Sequence, residues 1–230
     1  GYSIQAGIPG KTPDSPEPQM RTYYGTFLVS EYRRPEFQVT VTPKQTEVLQ
    51  GDTVEVDVQA SYFFGGLVSG AKVNWTAVAQ NYFFDRYDGP GYFSWNDADY
   101  FAPQRGGSGG VLASGEGVTD AQGNFKITLP AKLDEKTGSQ KFSIEAAVTD
   151  LSDQQVSNRV DVIVHQGRYY IGIAPTDYVG TANKPMSFDL RTVDWQAAPL
   201  ANQALNVVYY QRTWYNVQQK DDYGNVFWTS

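Results

Sequence analysis

From Phe37 onward apolar and polar residues alternate, first in FQVTVTP (37–43) and again in VEVDVQASYF (54–63), where Val54, Val56, Val58 and Ala60 share one face. A period of two predicts strands. Between them, EVLQGDT carries a Gly51-Asp52 turn signal, and FGGLVSG (64–70) supplies glycines for a chain reversal before a third strand, AKVNWTAV (71–78). In VTDAQGNFKITL (118–129) an Asp120-x-x-Gly123 turn precedes alternating Phe125, Ile127 and Leu129, and Pro130 stops the ladder. KFSIEAAVT (141–149) and VSNRVDVIVH (156–165) follow. Six or seven short strands divided by turn chemistry predict an all-β fold of antiparallel sandwich type.

The pattern then starts again. FQVTVTP matches YYIGIAP (169–175) at a displacement of 132 residues, and the same displacement lays VEVDV (54–58) on MSFDL (186–190) and GLVSGAKVNW (66–75) on APLANQALNV (198–207). Self-similarity at one fixed period predicts tandem domains. Near the start, YSIQA (2–6) resembles FSIEA (142–146), which makes FLVSEY (27–32) the expected last strand of a preceding unit, as RVDVIVH (159–165) is of the central one. Arg33-Arg34-Pro35 is then a junction, because proline has no N–H for a ladder and biases the residue before it to extended geometry. Gly167 marks the next junction. The expected domains are 1–34, the closing strands of one sandwich; 35–166, a complete sandwich; and 167–230, the front of a third. The third reaches VVYYQRTWY (207–215), then Asp221-Asp222-Tyr223-Gly224 and one more strand, as a piece excised from a longer array would. Residues 80–117 break the rhythm and are expected to form an insertion in the central domain.

Composition narrows the function. The chain has 230 residues, of which 40% are hydrophobic and 14% aromatic, and a net charge of −7. Two domain-sized cores fit that length. The negative charge argues against a nucleic-acid partner, which needs a basic footprint. No run approaches the ~20 apolar residues that span a bilayer, and GYSIQAG lacks the regions of a signal peptide, so a soluble chain without membrane insertion is expected. With no cysteine there is no disulfide, thiolate nucleophile or Cys-ligated zinc, which leans towards a bacterial envelope protein or a cytosolic one. No cofactor is implied.

Candidate chemistry is sparse. His165 is the sole histidine, and Gly107-Ser108-Gly109 sits in a loose glycine run without the strand-to-helix elbow a serine nucleophile needs, so no catalytic residue is expected. Asp97 and Asp99, with Asp85 and Asp88 upstream, are weak metal candidates: alternate carboxylates suit Ca²⁺, but the glycine and terminal glutamate of an EF-hand loop are missing. Paired carboxylates for glycoside hydrolysis are unsupported. The densest feature is aromatic. Tyr82, Phe83, Phe84, Tyr87, Tyr92, Phe93, Trp95, Tyr100 and Phe101 cluster in the insertion, with Trp214 and Trp228 further on. Such rings either make an interface or fold back over an exposed sheet face. A sandwich missing its last strands also has open edges, which leaves two readings: residues 1–32 of one molecule complement 168–230 of another, giving head-to-tail self-association by strand exchange, or the piece is simply cut there and its end is poorly ordered.

Taken in order, EYRRPEF (31–37), VEVDVQASYFFGGLVSGAKV (54–73), GEGVTDAQGNFKITLPA (115–131), AAVTD (146–150), GRYYIGIAPTDYV (167–179) and YYQRTWY (209–215) resemble the bacterial alpha-2-macroglobulins over nearly the whole chain. The resemblance implies consecutive macroglobulin domains: seven-stranded antiparallel sandwiches, fibronectin-III-like or Ig-like, that scaffold a broad-spectrum protease inhibitor. In that family a protease cuts a bait segment, the molecule collapses around it, and many members trap it through a Cys-Gln thioester. That thioester cannot lie on a cysteine-free chain, and only 80–117 resembles a bait, so the resemblance implies scaffold, with neighbouring macroglobulin domains as partners and proteases met through the parent protein. Two other readings remain. One is an Ig-like module of a bacterial surface adhesin or extracellular fibre. The other is a carbohydrate-binding or carbohydrate-cleaving sandwich that uses the aromatic-acidic loop.

Overall fold

In the computed structural model the described residues are 2–10, 19–27, 36–95, 110–133, 138–181, 183–209, 213, 217–220 and 226–229, and their regular elements are all strands. β1 (Tyr2–Gly10) and β2 (Gln19–Phe27) form an antiparallel hairpin that pairs Tyr2 with Phe27 and Gly10 with Gln19. Then come β3 (Phe37–Pro43), β4 (Glu47–Leu49), β5 (Thr53–Tyr62), β6 (Lys72–Asn81), β7 (Val111–Val118), β8 (Asn124–Pro130), β9 (Gln140–Thr149) and β10 (Gln155–His165). β11 (Tyr170–Pro175), β12 (Phe188–Val193), β13 (Val217–Lys220) and β14 (Val226–Thr229) complete the series. The chain gathers into two units: residues 1–82 with 102–166, and residues 83–101 with 167–230.

The first unit holds a sandwich of a three-stranded sheet, β3-β5-β8, and a five-stranded sheet, β4-β10-β9-β6-β7. Alternation decides what lies between them. Phe37, Val39 and Val41 of β3 and Val54, Val56 and Val58 of β5 point inward, and meet Phe142, Ile144, Val162 and Val164 of β9 and β10. Burying side chains of this size stabilises by ~1.5–3 kcal/mol each before entropy is counted. Three elements differ from the sequence expectation. EVLQGDT, read as a turn, contains β4, a short strand parallel to β10. β7 occupies 111–118, inside the segment read as insertion. β2, Gln19–Phe27, is a strand the sequence reading did not anticipate; the expected strand 27–32 falls, past Phe27, on residues 28–35, which with the junction residues Arg33, Arg34 and Pro35 lie outside the described residues.

In the second unit β11 and β12 pair antiparallel. The 132-residue displacement governs this geometry as well as the sequence: Pro43 pairs with Val56 and Pro175 with Phe188, Val41 with Val58 and Ile173 with Leu190. An isolated bridge Ser61–Leu67 recurs as Val193–Pro199. Gly51, Gly65 and Gly70 have left-handed backbones (φ 92°, 90° and 67°), and so do Asn183, Ala197 and Asn202 (φ 63°, 67° and 59°), each displaced by the same interval. Other parts do not repeat. Residues 203–209, where the repeat and VVYYQRTWY call for a strand, carry none, and β13 pairs with β14 in a hairpin, whereas β7 and β8 lie in different sheets.

Candidate interaction site

The second unit takes in residues 83–95 of the aromatic segment, and its best-defined site is the outer face of the β11–β12 hairpin. Along β11, Tyr170, Gly172 and Ala174 alternate with Ile171 and Ile173, so the two sets face opposite ways. Gly172 and Ala174 are buried, and the Trp95 ring covers Gly172. Ser94 adds to the free edge of β11: its N–H donates to the Ile173 carbonyl at 2.8 Å, and the Ile173 N–H donates back at 3.0 Å. That pairing turns the neighbours of Ser94 onto the Gly172 face. The Trp95 ring lies where a side chain at residue 172 would stand, since a Cβ there would fall 2.7 Å from the indole.

The rings interlock. Phe84, itself buried, stacks on Tyr170 (centroids 4.2 Å apart, 21° between planes) and meets Trp95 edge-on at 5.5 Å. Trp95 also contacts Tyr87 at 4.9 Å and Phe93 at 5.7 Å. Arg191, which pairs with Gly172 across the hairpin, places its guanidinium 5.3 Å and 5.0 Å from the Tyr87 and Phe93 ring centres and donates to the Tyr87 hydroxyl. Each ring pair is worth ~0.5–1.5 kcal/mol beyond its buried area, and each cation–π contact ~0.5–2 kcal/mol. Two further bonds tie the ends: Arg86 Nη1 donates to the Trp195 carbonyl at 2.8 Å, and Trp195 Nε1 donates to the Gly167 carbonyl at 2.8 Å. The Gly-Pro-Gly loop is shaped for this. Gly89 leaves room for the Tyr87 ring, Gly91 takes φ 93°, and the Tyr87 hydroxyl donates to the Pro90 carbonyl at 3.0 Å.

Of the aromatic candidates, Phe84, Tyr87, Phe93 and Trp95 are brought together. Phe83 and Tyr92 are exposed, and Tyr82 lies in the first unit, edge-on to His165 at 5.9 Å. Trp228 stands opposite Gln218 in the β13–β14 hairpin. Tyr100, Phe101, Trp214, Asp97 and Asp99 lie outside the described residues, as does Gly107-Ser108-Gly109. Asp85 and Asp88 are exposed, and among the described residues no three His, Asp or Glu side chains converge on a metal-sized site. The buried His165 imidazole sits 3.3 Å from the Glu47 carboxylate, and its carbonyl accepts the Gln50 N–H, so it locks β4 to β10. Gly167 serves through its carbonyl.

Tyr170, Gly172, Arg191 and Trp195 had not been singled out from sequence. One signal was there: YYIGIAP has glycine in a strand interior where FQVTVTP has Thr40, and such a glycine marks close approach of another group. Elsewhere, the first unit has a shallow cavity of about 360 Å³ on the outer face of the larger sheet, where Val78 and Ala147 sit among Asn74, Thr76, Glu145 and Arg159.

Comparison with known proteins agrees with this architecture. The family profile of the macroglobulin domain MG3 matches residues 31–88. Alpha-2-macroglobulin of Thermotoga maritima is 28% identical over 182 residues, 78% of this chain and 10% of that protein. Trypsin-activated alpha-2-macroglobulin from Escherichia coli superposes with a TM-score of 0.56 at 15% identity, covering all of this chain and 16% of that one. Salmonella alpha-2-macroglobulin reacted with methylamine gives 0.54 at 16% identity, over 86% of this chain and 13% of that one. The fold is that of macroglobulin domains, and the chain spans about a tenth of the length of its curated relative. Among the described residues no helix is long and apolar enough to cross a membrane.

Proposed function

Proceeding from a chain that carries a macroglobulin domain and the fold of bacterial alpha-2-macroglobulins, we propose that it supplies scaffold domains of an envelope-associated or extracellular protease inhibitor. The domains are 1–34, 35–166 and 167–230, and the chain itself has no catalytic role. The observation that carries this reading is the recurrence of one strand register at 132 residues, with the same left-handed turn positions, beside the MG3 match over 31–88. A repeated sandwich positions what it is joined to. The thioester belongs elsewhere, since the chain has no cysteine, and the bait is placed elsewhere with it. Neighbouring macroglobulin domains are its direct partners, and proteases meet it through the parent protein.

The test is to incubate the complete gene product with trypsin and follow digestion of casein and of a small amide substrate. Trapping is expected to slow casein digestion while sparing the small substrate; this chain alone is expected to slow neither. Unchanged casein digestion by the complete product sinks the inhibitor reading, and inhibition by this chain alone sinks the scaffold assignment.

A second reading, an adhesin or fibre module that assembles by strand complementation, is favoured by one feature. Ile171, Ile173, Phe188 and Leu190 are 41–46% exposed, whereas their counterparts Val39, Val41, Val56 and Val58 are no more than 8% exposed. In the first unit that face is closed by β9 and β10. Here the β1–β2 hairpin of a second copy is the complementing element. Sedimentation at rising concentration distinguishes the two: chain growth that Leu190→Lys abolishes supports strand exchange, and a constant monomer mass defeats it.

A further inference from the structure

The two equivalent hairpins have unlike outer faces. On β3 and β5 this face is Thr40, Thr42, Glu55, Asp57 and Gln59, polar and open to solvent except for Glu55, which is held between Lys44 at 2.5 Å and Lys126 at 2.8 Å. On β11 and β12 the matching positions include Gly172 for Thr40, Ala174 for Thr42 and Arg191 for Gln59, and Gly172 and Ala174 are buried. Small residues flanked by a tyrosine and an arginine make a poor solvent face and a good seat for rings. We propose that the outer face of β11–β12 is a recognition surface for an extended aromatic peptide, that residues 83–95 are its resident occupant, and that Gly172 sets its selectivity.

Three parts of the geometry divide the work. The free edge of β11 offers the N–H and carbonyl of Ile173, and an added segment gains main-chain bonds there whatever its side chains. Selectivity comes from the face: with no Cβ at residue 172, a tryptophan placed one residue after the bridging position lies flat against the strand, and any side chain there displaces it. Tyr170 and Arg191 bracket the seat, one stacking on Phe84 and the other holding Tyr87 and Phe93 by cation–π contact. The open counterpart of this hairpin, with threonine at residue 40, lacks the seat. The occupant is therefore a peptide ligand attached in cis, and its binding is separable from formation of the sandwich core.

Amide hydrogen exchange on the whole chain tests this. Gly172→Val is expected to speed exchange at Ser94 and Ile173 on the order of tenfold, the scale of losing one or two ring contacts, while Val41 and Val58 of the sandwich keep their rates. Unchanged rates at Ser94 and Ile173, or equal acceleration throughout the chain, overturn the proposal. Because valine at residue 172 also alters the hairpin, a second arm uses Trp95→Ala. A synthetic peptide of residues 83–95 added to that variant is expected to slow Ile173 exchange saturably, and the same peptide carrying Trp95→Ala is expected not to. Failure of the first peptide, or equal action of both, also overturns it.

Discussion

At the scale of single residues, one turn is used repeatedly. The Asp120 carboxylate accepts the N–H groups of Gln122 (2.9 Å) and Asn124 (2.8 Å), Asp150 those of Ser152 (2.8 Å) and Gln154 (2.9 Å), and Asp194 those of Gln196 (2.9 Å) and Ala198 (2.8 Å). In each the fourth residue returns its N–H to the aspartate carbonyl and is left-handed: Gly123 at φ 73°, Asp153 at 58°, Ala197 at 67°. Only the first was legible as a turn. DLSDQ and DWQAA put aspartate and alanine where glycine is expected, and the cap on the first residue holds them there against the steric cost of Cβ. Ala197→Gly is therefore expected to raise stability by ~0.5–1 kcal/mol, seen as a higher urea midpoint with unchanged slope for the transition that includes β12. Asp150→Ala, which strands two N–H groups beside a buried carboxylate site, is expected to lower the sandwich's stability by ~1–2 kcal/mol. Gly123 is more constrained still, because a Cβ there would fall 2.5 Å from the Ala60 carbonyl oxygen, so Gly123→Ala should cost more than Asp150→Ala.

At the scale of elements, the readable strands were those whose inward positions are apolar. β7 was not. Its inward residues are Ala113, Gly115 and Gly117, and a Cβ on Gly115 would meet the ring of Trp75 at 2.7 Å and one on Gly117 the ring of Phe125 at 2.3 Å, so the neighbours' rings fill the space that side chains there would otherwise occupy. A glycine-bearing strand of this kind shows no alternation in VLASGEGV although its backbone pairs with β6 over most of its length. The outer face of β5 carries a different constraint. Hydrogen bonds from Lys126 and Lys44 hold the Glu55 carboxyl at about 2, below its usual 4.5. A carboxyl with a depressed folded pKa adds stability that is present above about 4.5 and is lost as pH falls towards about 2. Glu55→Gln should accordingly flatten the acid limb of stability in that window, leaving the neutral-pH slope unaltered; an unchanged limb on acid titration followed by circular dichroism would show that the two lysines do not act on Glu55 in solution.

For the molecule as a whole, the distribution of closed core predicts the distribution of stability. The first unit closes two sheets around a continuous apolar layer, whereas β13–β14 is a separate two-stranded sheet, and isolated hairpins are marginal in water. Native-state hydrogen exchange should therefore show β5 and β9 amides opening only with global unfolding and β13–β14 amides exchanging far faster; comparable protection in both would contradict this account. Sequence by itself determined the all-β class, the inward faces of β3, β5 and β8, and the 132-residue displacement, because alternation, turn chemistry and repetition are local properties that neighbouring residues express together. Only the tertiary structure decided that the aromatic segment seats its rings on Gly172 and Arg191, that β7 is a strand, and that alanine takes a glycine's backbone at residue 197. In each of these the deciding group is remote in the chain from the residue it constrains, and a one-dimensional pattern holds no record of which surface a ring will meet.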